Sequence, residues 1–131
     1  MGQFKVVKID DIEAMAYGTF RRARATLDIK SFGLGVLDLP PNLEAYPEHD
    51  HSGDGQEEVY FVLRGSGEIE IEGERYPLDP ETVVSLQPGT KRKLWPGEQG
   101  MRVVAIGGKP GSVYEIKERT ELGAPDPYVR N

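Results

Sequence analysis

Between Gly33 and Ile106 the chain alternates short strand-forming runs with turn residues, and Gly or Pro stands at almost every junction. Candidate strands are Gly33–Leu39, Glu58–Leu63, Glu68–Glu72, Arg75–Leu78, Thr82–Leu86, Lys91–Trp95 and Met101–Ile106. Between them lie Pro40-Pro41-Asn42, Glu72-Gly73-Glu74, Asp79-Pro80-Glu81, Gln87-Pro88-Gly89 and Pro96-Gly97-Glu98. Pro fixes φ and lacks an N–H, while Gly admits positive φ, so both suit points where a ladder reverses. Glu68-Ile69-Glu70-Ile71-Glu72 alternates strictly, which turns Ile69 and Ile71 inward and the glutamates to water. No long amphipathic helix stands out, and this punctuation indicates an all-β barrel or sandwich. Phe4–Ile9 and Ala25–Ile29 read as further strands, and Asp10–Met15 as one helical turn with an Asp N-cap. A length of 131 residues fits a single domain, residues 1–131. Its barrel is expected over about 25–108, and a Gly-, Pro- and charge-rich tail, 109–131, should wrap the surface or fray.

The only two histidines, His49 and His51, are separated by one residue. In extended chain, residues i and i+2 project from one face, so the imidazoles converge. With a carboxylate from the adjoining strand they form a ligand set suited to Zn, Fe, Mn or Ni. Cysteine is absent, which removes thiolate ligands, disulfides and cysteine nucleophiles. Both histidines belong to one short segment, so no Ser-His-Asp arrangement can be placed. Gly107-Gly108-Lys109-Pro110-Gly111 lacks the strand-to-helix setting of a phosphate loop. Glu57 and Glu58 should face opposite sides of a strand and not work as a carboxylate pair. A net charge of −6 argues against nucleic-acid binding. Arg21-Arg22-Ala23-Arg24 and Lys91-Arg92-Lys93 run against that balance and read as solvated surface. No apolar run is long enough to span a membrane, and Met1-Gly2-Gln3-Phe4-Lys5 lacks the apolar region of a signal peptide, so a cytoplasmic location is expected.

The stretch from about Leu37 to Gly108 resembles a cupin, a small jelly-roll β-barrel. The first cupin motif is H-x-H, then a Glu, six residues and a Gly. His49, His51, Glu58 and Gly65 match it, and Gly67 follows as the usual Gly-x-Gly hairpin turn. Pro88-Gly89 resembles the turn of the second motif. Two departures stand out. Ser52-Gly53-Asp54-Gly55-Gln56 lengthens the spacer before the Glu, a change that loops absorb cheaply. The fourth ligand position, usually His, is Arg92.

The resemblance implies a divalent metal at His49, His51 and Glu58, but arginine stays protonated and offers no lone pair. A guanidinium about 5 Å from a divalent ion is repelled by roughly 7 kcal/mol at an effective dielectric near 20, an upper bound before Glu58 compensates. Either Arg92 points away from a three-ligand metal, or it pairs with Glu58 in a metal-free site, or it binds an anionic ligand beside the metal. Tyr60 and Val62 should share the inward face with Glu58, and Tyr46 should line the mouth, making Arg92, Tyr60 and Tyr46 the candidate substrate contacts. Trp95 reads as packing or rim, and Lys91 and Lys93 should face away from Arg92. The implied function is a small-molecule pocket, metal-dependent and acting on or binding a small polar or anionic molecule. The alternatives are a non-catalytic binding or sensing module and a metal-independent sugar isomerase or epimerase. A homodimer is expected, with Phe4–Ile9 as an edge able to pair.

Overall fold

The computed structural model describes residues 2–129; residues 1, 130 and 131, the ends of the expected domain, lie outside it. The described residues form a single, mostly β domain with seven strands: β1 Ala14–Met15, β2 Phe20–Arg21, β3 Gly33–Leu39, β4 Glu57–Ile71, β5 Glu74–Leu78, β6 Val83–Leu86 and β7 Arg92–Gly108. All pairings are antiparallel, in the order β1-β2-β3-β7-β4-β5, with β6 on β4. No helix is long and apolar enough to cross a membrane among the described residues.

Two long strands, β4 and β7, organise the barrel. Glu58–Phe61 lies between β6 and the C-terminal half of β7, whereas Gly67–Ile71 lies between β5 and the N-terminal half of β7. The register shifts between Val62 and Arg64 and again between Gly65 and Gly67. Each long strand therefore serves both layers of the jelly roll and bends where it passes from one to the other. Glycine is required at the bend: Gly65 has φ +77°, and a Cβ there would overlap the Gly100 carbonyl oxygen. A Cβ on Gly67 would likewise overlap the Trp95 carbonyl oxygen.

Several expectations change accordingly. The runs Glu58–Leu63 and Glu68–Glu72 are two halves of β4, and Lys91–Trp95 and Met101–Ile106 are two halves of β7. Gly65 and Gly67 bend a continuous strand and do not close a hairpin. Phe4–Ile9 forms no strand; a 3-10 turn occupies Ile9–Asp11, and Ala14–Met15 is extended, not helical. This removes the edge through which a dimer was expected to pair. Ala25–Ile29 gives way to a one-turn helix, α1, at Ala23–Thr26, where Ala-Arg-Ala favours helix and the Thr26 hydroxyl donates to the Arg22 carbonyl at 2.9 Å.

The interior of the barrel holds Leu37, Leu39, Tyr60, Val62, Ile69, Leu78, Leu86, Leu94, Met101 and Val103. Val36 and Val104 point to the opposite face, where Ile12 and Ala23 cover them. The segment preceding β3 thus shields the outside of the sheet. The C-terminal segment folds back over it: the Gly123 N–H donates to Glu13 at 2.9 Å, Arg22 Nη2 donates to the Ala124 carbonyl at 2.9 Å, and the Ala16 N–H donates to Asp126 at 2.6 Å. These contacts hold the described part of the tail against the N-terminal segment.

Candidate metal and anion site

His49 and His51 stand on a short extended segment attached to the turn that precedes β7. His49 and Arg92 form an isolated antiparallel bridge, exchanging two backbone hydrogen bonds of 2.9 Å. Directly opposed residues project to the same side, which brings Arg92 to the histidine face. The His51 N–H donates to the Pro88 carbonyl at 2.7 Å, so the Gln87-Pro88-Gly89 turn fixes the second histidine. Glu58 enters from β4, flanked by Leu86 of β6 and Gly107 of β7. A Cβ at Gly107 would lie 2.8 Å from Gln56 Oε1, so the missing side chain makes room for the Gln56 amide beside Glu58.

One donor atom from each of His49, His51 and Glu58 lies within 4.8 Å of the others. The Nδ1 atoms are engaged elsewhere, His49 with the Pro47 carbonyl at 3.2 Å and His51 with the Asp54 carboxylate at 3.1 Å. That leaves the Nε2 atoms for the site, and His51 Nε2 lies 3.2 Å from Glu58 Oε1. The carboxylate behind His51 is the usual device for orienting a metal-binding imidazole. The donor set therefore fits a divalent ion, with Arg92 Nη2 3.9 Å from Glu58 Oε1.

Arg92 has no exposure, and its Nε, Nη1 and Nη2 have no hydrogen-bond partner. Lys91 is exposed, whereas Lys93 is half-buried with its ammonium 4.0 Å from the centre of the Trp95 ring. Tyr60, 1% exposed, donates its hydroxyl to Glu58 Oε1 at 2.8 Å. The Tyr46 ring meets the His49 ring edge to face at 5.9 Å. Burial raises both phenols above their ordinary range, so they remain neutral donors. Burial pushes the Glu58 carboxyl up, but hydrogen bonds from His51 and Tyr60 and the nearby Arg92 charge bring it below its ordinary value. The Glu58 hydrogen bond raises His51, against burial, and Asp54 adds to the rise; burial lowers His49.

The structure brings all six expected residues together: His49, His51, Glu58, Arg92, Tyr60 and Tyr46. Sequence reasoning missed Asp54, reading the Ser52–Gln56 insertion only as added length. The insertion is a built turn in which the Gly55 N–H donates to the His51 carbonyl at 2.8 Å and the Gln56 N–H to Asp54 at 3.1 Å. A carboxylate three residues after a histidine, next to a glycine, was the available signal. Lys117 of the tail, 3.5 Å from Asp54, had no local signal at all.

The description "cupin domain" attaches to the family model that matches residues 35–107. No curated protein matches the sequence. Among solved structures, a cupin protein from Bacteroides fragilis is 20% identical with a TM-score of 0.68, covering 89% of this chain and 93% of that one. A protein of Acidithiobacillus ferrooxidans, described provisionally as a sugar phosphate isomerase, is 23% identical with a TM-score of 0.50, covering 60% of this chain and 51% of that one. The DMSP lyase DddQ of Ruegeria pomeroyi is 24% identical with a TM-score of 0.54, covering 70% of this chain and 45% of its own. At these identities the likeness concerns the fold.

Proposed function

The chain belongs to the cupin domain family, and from that premise we propose that it binds a small anionic molecule beside a divalent metal held by His49, His51 and Glu58. The observation that carries this reading is Arg92. A guanidinium with no exposure and no hydrogen bond is costly to bury, because it loses its water without replacement. Its only ion-pair partner among the described residues is Glu58, at 3.9 Å. A carboxylate or phosphate group entering the site would satisfy the fork in the geometry that guanidinium favours. A divalent ion together with Arg92 carries more positive charge than Glu58 cancels, so an occupied site favours an anion as its ligand.

A metal held there would supply a Lewis acid able to polarise a ligand oxygen. The rest falls to the chain. Arg92 orients the anion, Tyr60 and Tyr46 offer neutral hydroxyls, and Asp54 holds the His51 ring in place. A second reading rests on the 3.2 Å contact between His51 and Glu58. Without metal, His51 would be favoured as an imidazolium paired with Glu58. The anion would then meet Arg92 directly, and His51 would be the proton donor for isomerase or epimerase work, or a fixed charge in a sensing module.

Elemental analysis of protein purified without chelators or affinity metal distinguishes the two. The metal reading expects near-stoichiometric Zn, Fe, Mn or Ni in the wild type, or its uptake on addition, with loss in Glu58→Ala. A wild type that carries no metal and takes up none sinks that reading and leaves the metal-free one.

A further inference from the structure

The basic run Arg21-Arg22-Ala23-Arg24 is not solvated surface: Arg22 and Arg24 are each 3% exposed. Both line a cavity of about 110 Å³ that His51 and Glu58 of the inner cluster also line. Lys117 and Arg119 of the tail complete the lining with two more cations. Four cations thus meet two carboxylates, Asp54 and Glu58, in a chain whose net charge is −6. Both carboxylates are already held, Asp54 by His51 and Lys117, Glu58 by His51 and Tyr60.

Arg24 is the incomplete member. Its Nη1 donates to the Ile29 carbonyl at 2.9 Å, while Nε and Nη2 are buried without a hydrogen bond. These two nitrogens form one edge of the guanidinium, the edge that grips a carboxylate or phosphate with two parallel bonds. Glu121 Oε1 lies 3.3 Å from Nη2 but outside hydrogen-bond geometry, and its side chain is half exposed. Arg22 is better satisfied, through Glu13 and the Ala124 carbonyl, with only Nε left over.

We infer that Arg24, backed by Arg22, Lys117 and Arg119, is a second anion subsite that takes the second carboxylate or phosphate of a ligand whose inner end, at the inner cluster, faces His51 and Glu58. This deepens the preceding reading and rests on it for the inner end: the ligand is a small molecule with an anionic group at each end. The cavity is well below the ~300–1,000 Å³ of pockets for larger ligands, which excludes a nucleotide-sized molecule. Glu121 competes with the ligand for Arg24.

Arginine side-chain N–H NMR of the full chain, titrated separately with inorganic phosphate and with succinate, reads Arg24 and Arg92 independently. The Arg24 Nε signal should move saturably with one or both anions, and the tighter of the two identifies the group as phosphoryl or carboxylate. Arg24→Lys should weaken binding by about tenfold, since an ammonium cannot replace the fork. Glu121→Gln, which leaves Arg24 intact, should tighten it. An Arg24 signal unmoved by both anions, or wild-type binding in both variants, overturns the subsite. Response at Arg92 with silence at Arg24 overturns the subsite alone. Response at Arg24 with silence at Arg92 supports the subsite and overturns the preceding reading of the inner site.

Discussion

At the scale of single residues, Arg92 is where the proposed anion chemistry and the stability of the fold meet. Its side chain has no exposure and its nitrogens have no hydrogen bond among the described residues, so the folded protein carries a desolvation cost that Glu58, 3.9 Å away, offsets in part and a bound anion would relieve further. Replacing an unsatisfied buried charge with an apolar side chain of similar reach is often neutral or stabilising. Arg92→Met should therefore raise stability by about 1 kcal/mol or more in urea unfolding while anion binding at the site is lost. A stability loss of that size would show that the guanidinium is satisfied in the free protein. The identity of Arg92 at the fourth-ligand position followed from the resemblance to the cupin motif. Its isolation was not, because hydrogen-bond partners come from segments distant in sequence. Asp54 illustrates the reverse case: its partner His51 is three residues away, and the contact depends on a turn whose shape the spacing did not reveal.

The strand-forming runs were legible at the scale of elements, but their continuity was not. Gly65 and Gly67 look like the end of one strand and the start of the next, because glycine ordinarily marks a reversal. In the folded chain they let β4 run on from one layer to the other. Since Gly65 has φ +77° and no space for a Cβ, Gly65→Ala should cost about 1–3 kcal/mol for the backbone conformation, and more for the overlap with the Gly100 carbonyl. Urea unfolding midpoints measure this, and an unchanged midpoint would show that the bend can be remade without glycine. The short N-terminal elements were misread for a related reason. Phe4–Ile9 and Ala25–Ile29 have strand-like composition, but pairing depends on an available edge, which local sequence does not specify.

Asp38 ties separate parts of the whole molecule together. On β3, it accepts from Arg21 of β2 at 2.6 Å and from Arg102 of β7 at 2.6 Å, and Arg102 also reaches Asp10 at 2.6 Å. Burial pushes the Asp38 carboxyl up, but the hydrogen bonds from Arg102 and Arg21 outweigh it and hold the group below its ordinary 3.8. A carboxyl lowered on folding contributes fully above the unfolded value, and that contribution is lost as pH falls from 3.8 through the lower folded value. Asp38→Asn should be less stable than wild type by about 1–3 kcal/mol at neutral pH, with the gap closing on acidification. Urea unfolding at pH 7 and at pH 3 tests the sign, and a gap that widens in acid would reverse the assignment. The tail belongs to the same scale: Lys117, Glu121 and Asp126 reach Asp54, Arg24 and Ala16, all far away in sequence.

The sequence by itself determined the fold class and the inner cluster. Alternation and turn residues are local signals that require strands, and the resemblance of His49, His51, Glu58 and Gly65 to the cupin motif points to three candidate ligands on one barrel without knowledge of any distant contact. Only the tertiary structure decided which charges go unsatisfied. Arg22, Arg24 and Arg92 look like ordinary surface or motif residues in one dimension, because burial depends on what else is folded over them. The barrel closes around Arg92, and the returning tail covers Arg22 and Arg24. Chain packing thereby turns three soluble cations into buried donors, two of them lacking a partner along at least one full edge of the guanidinium.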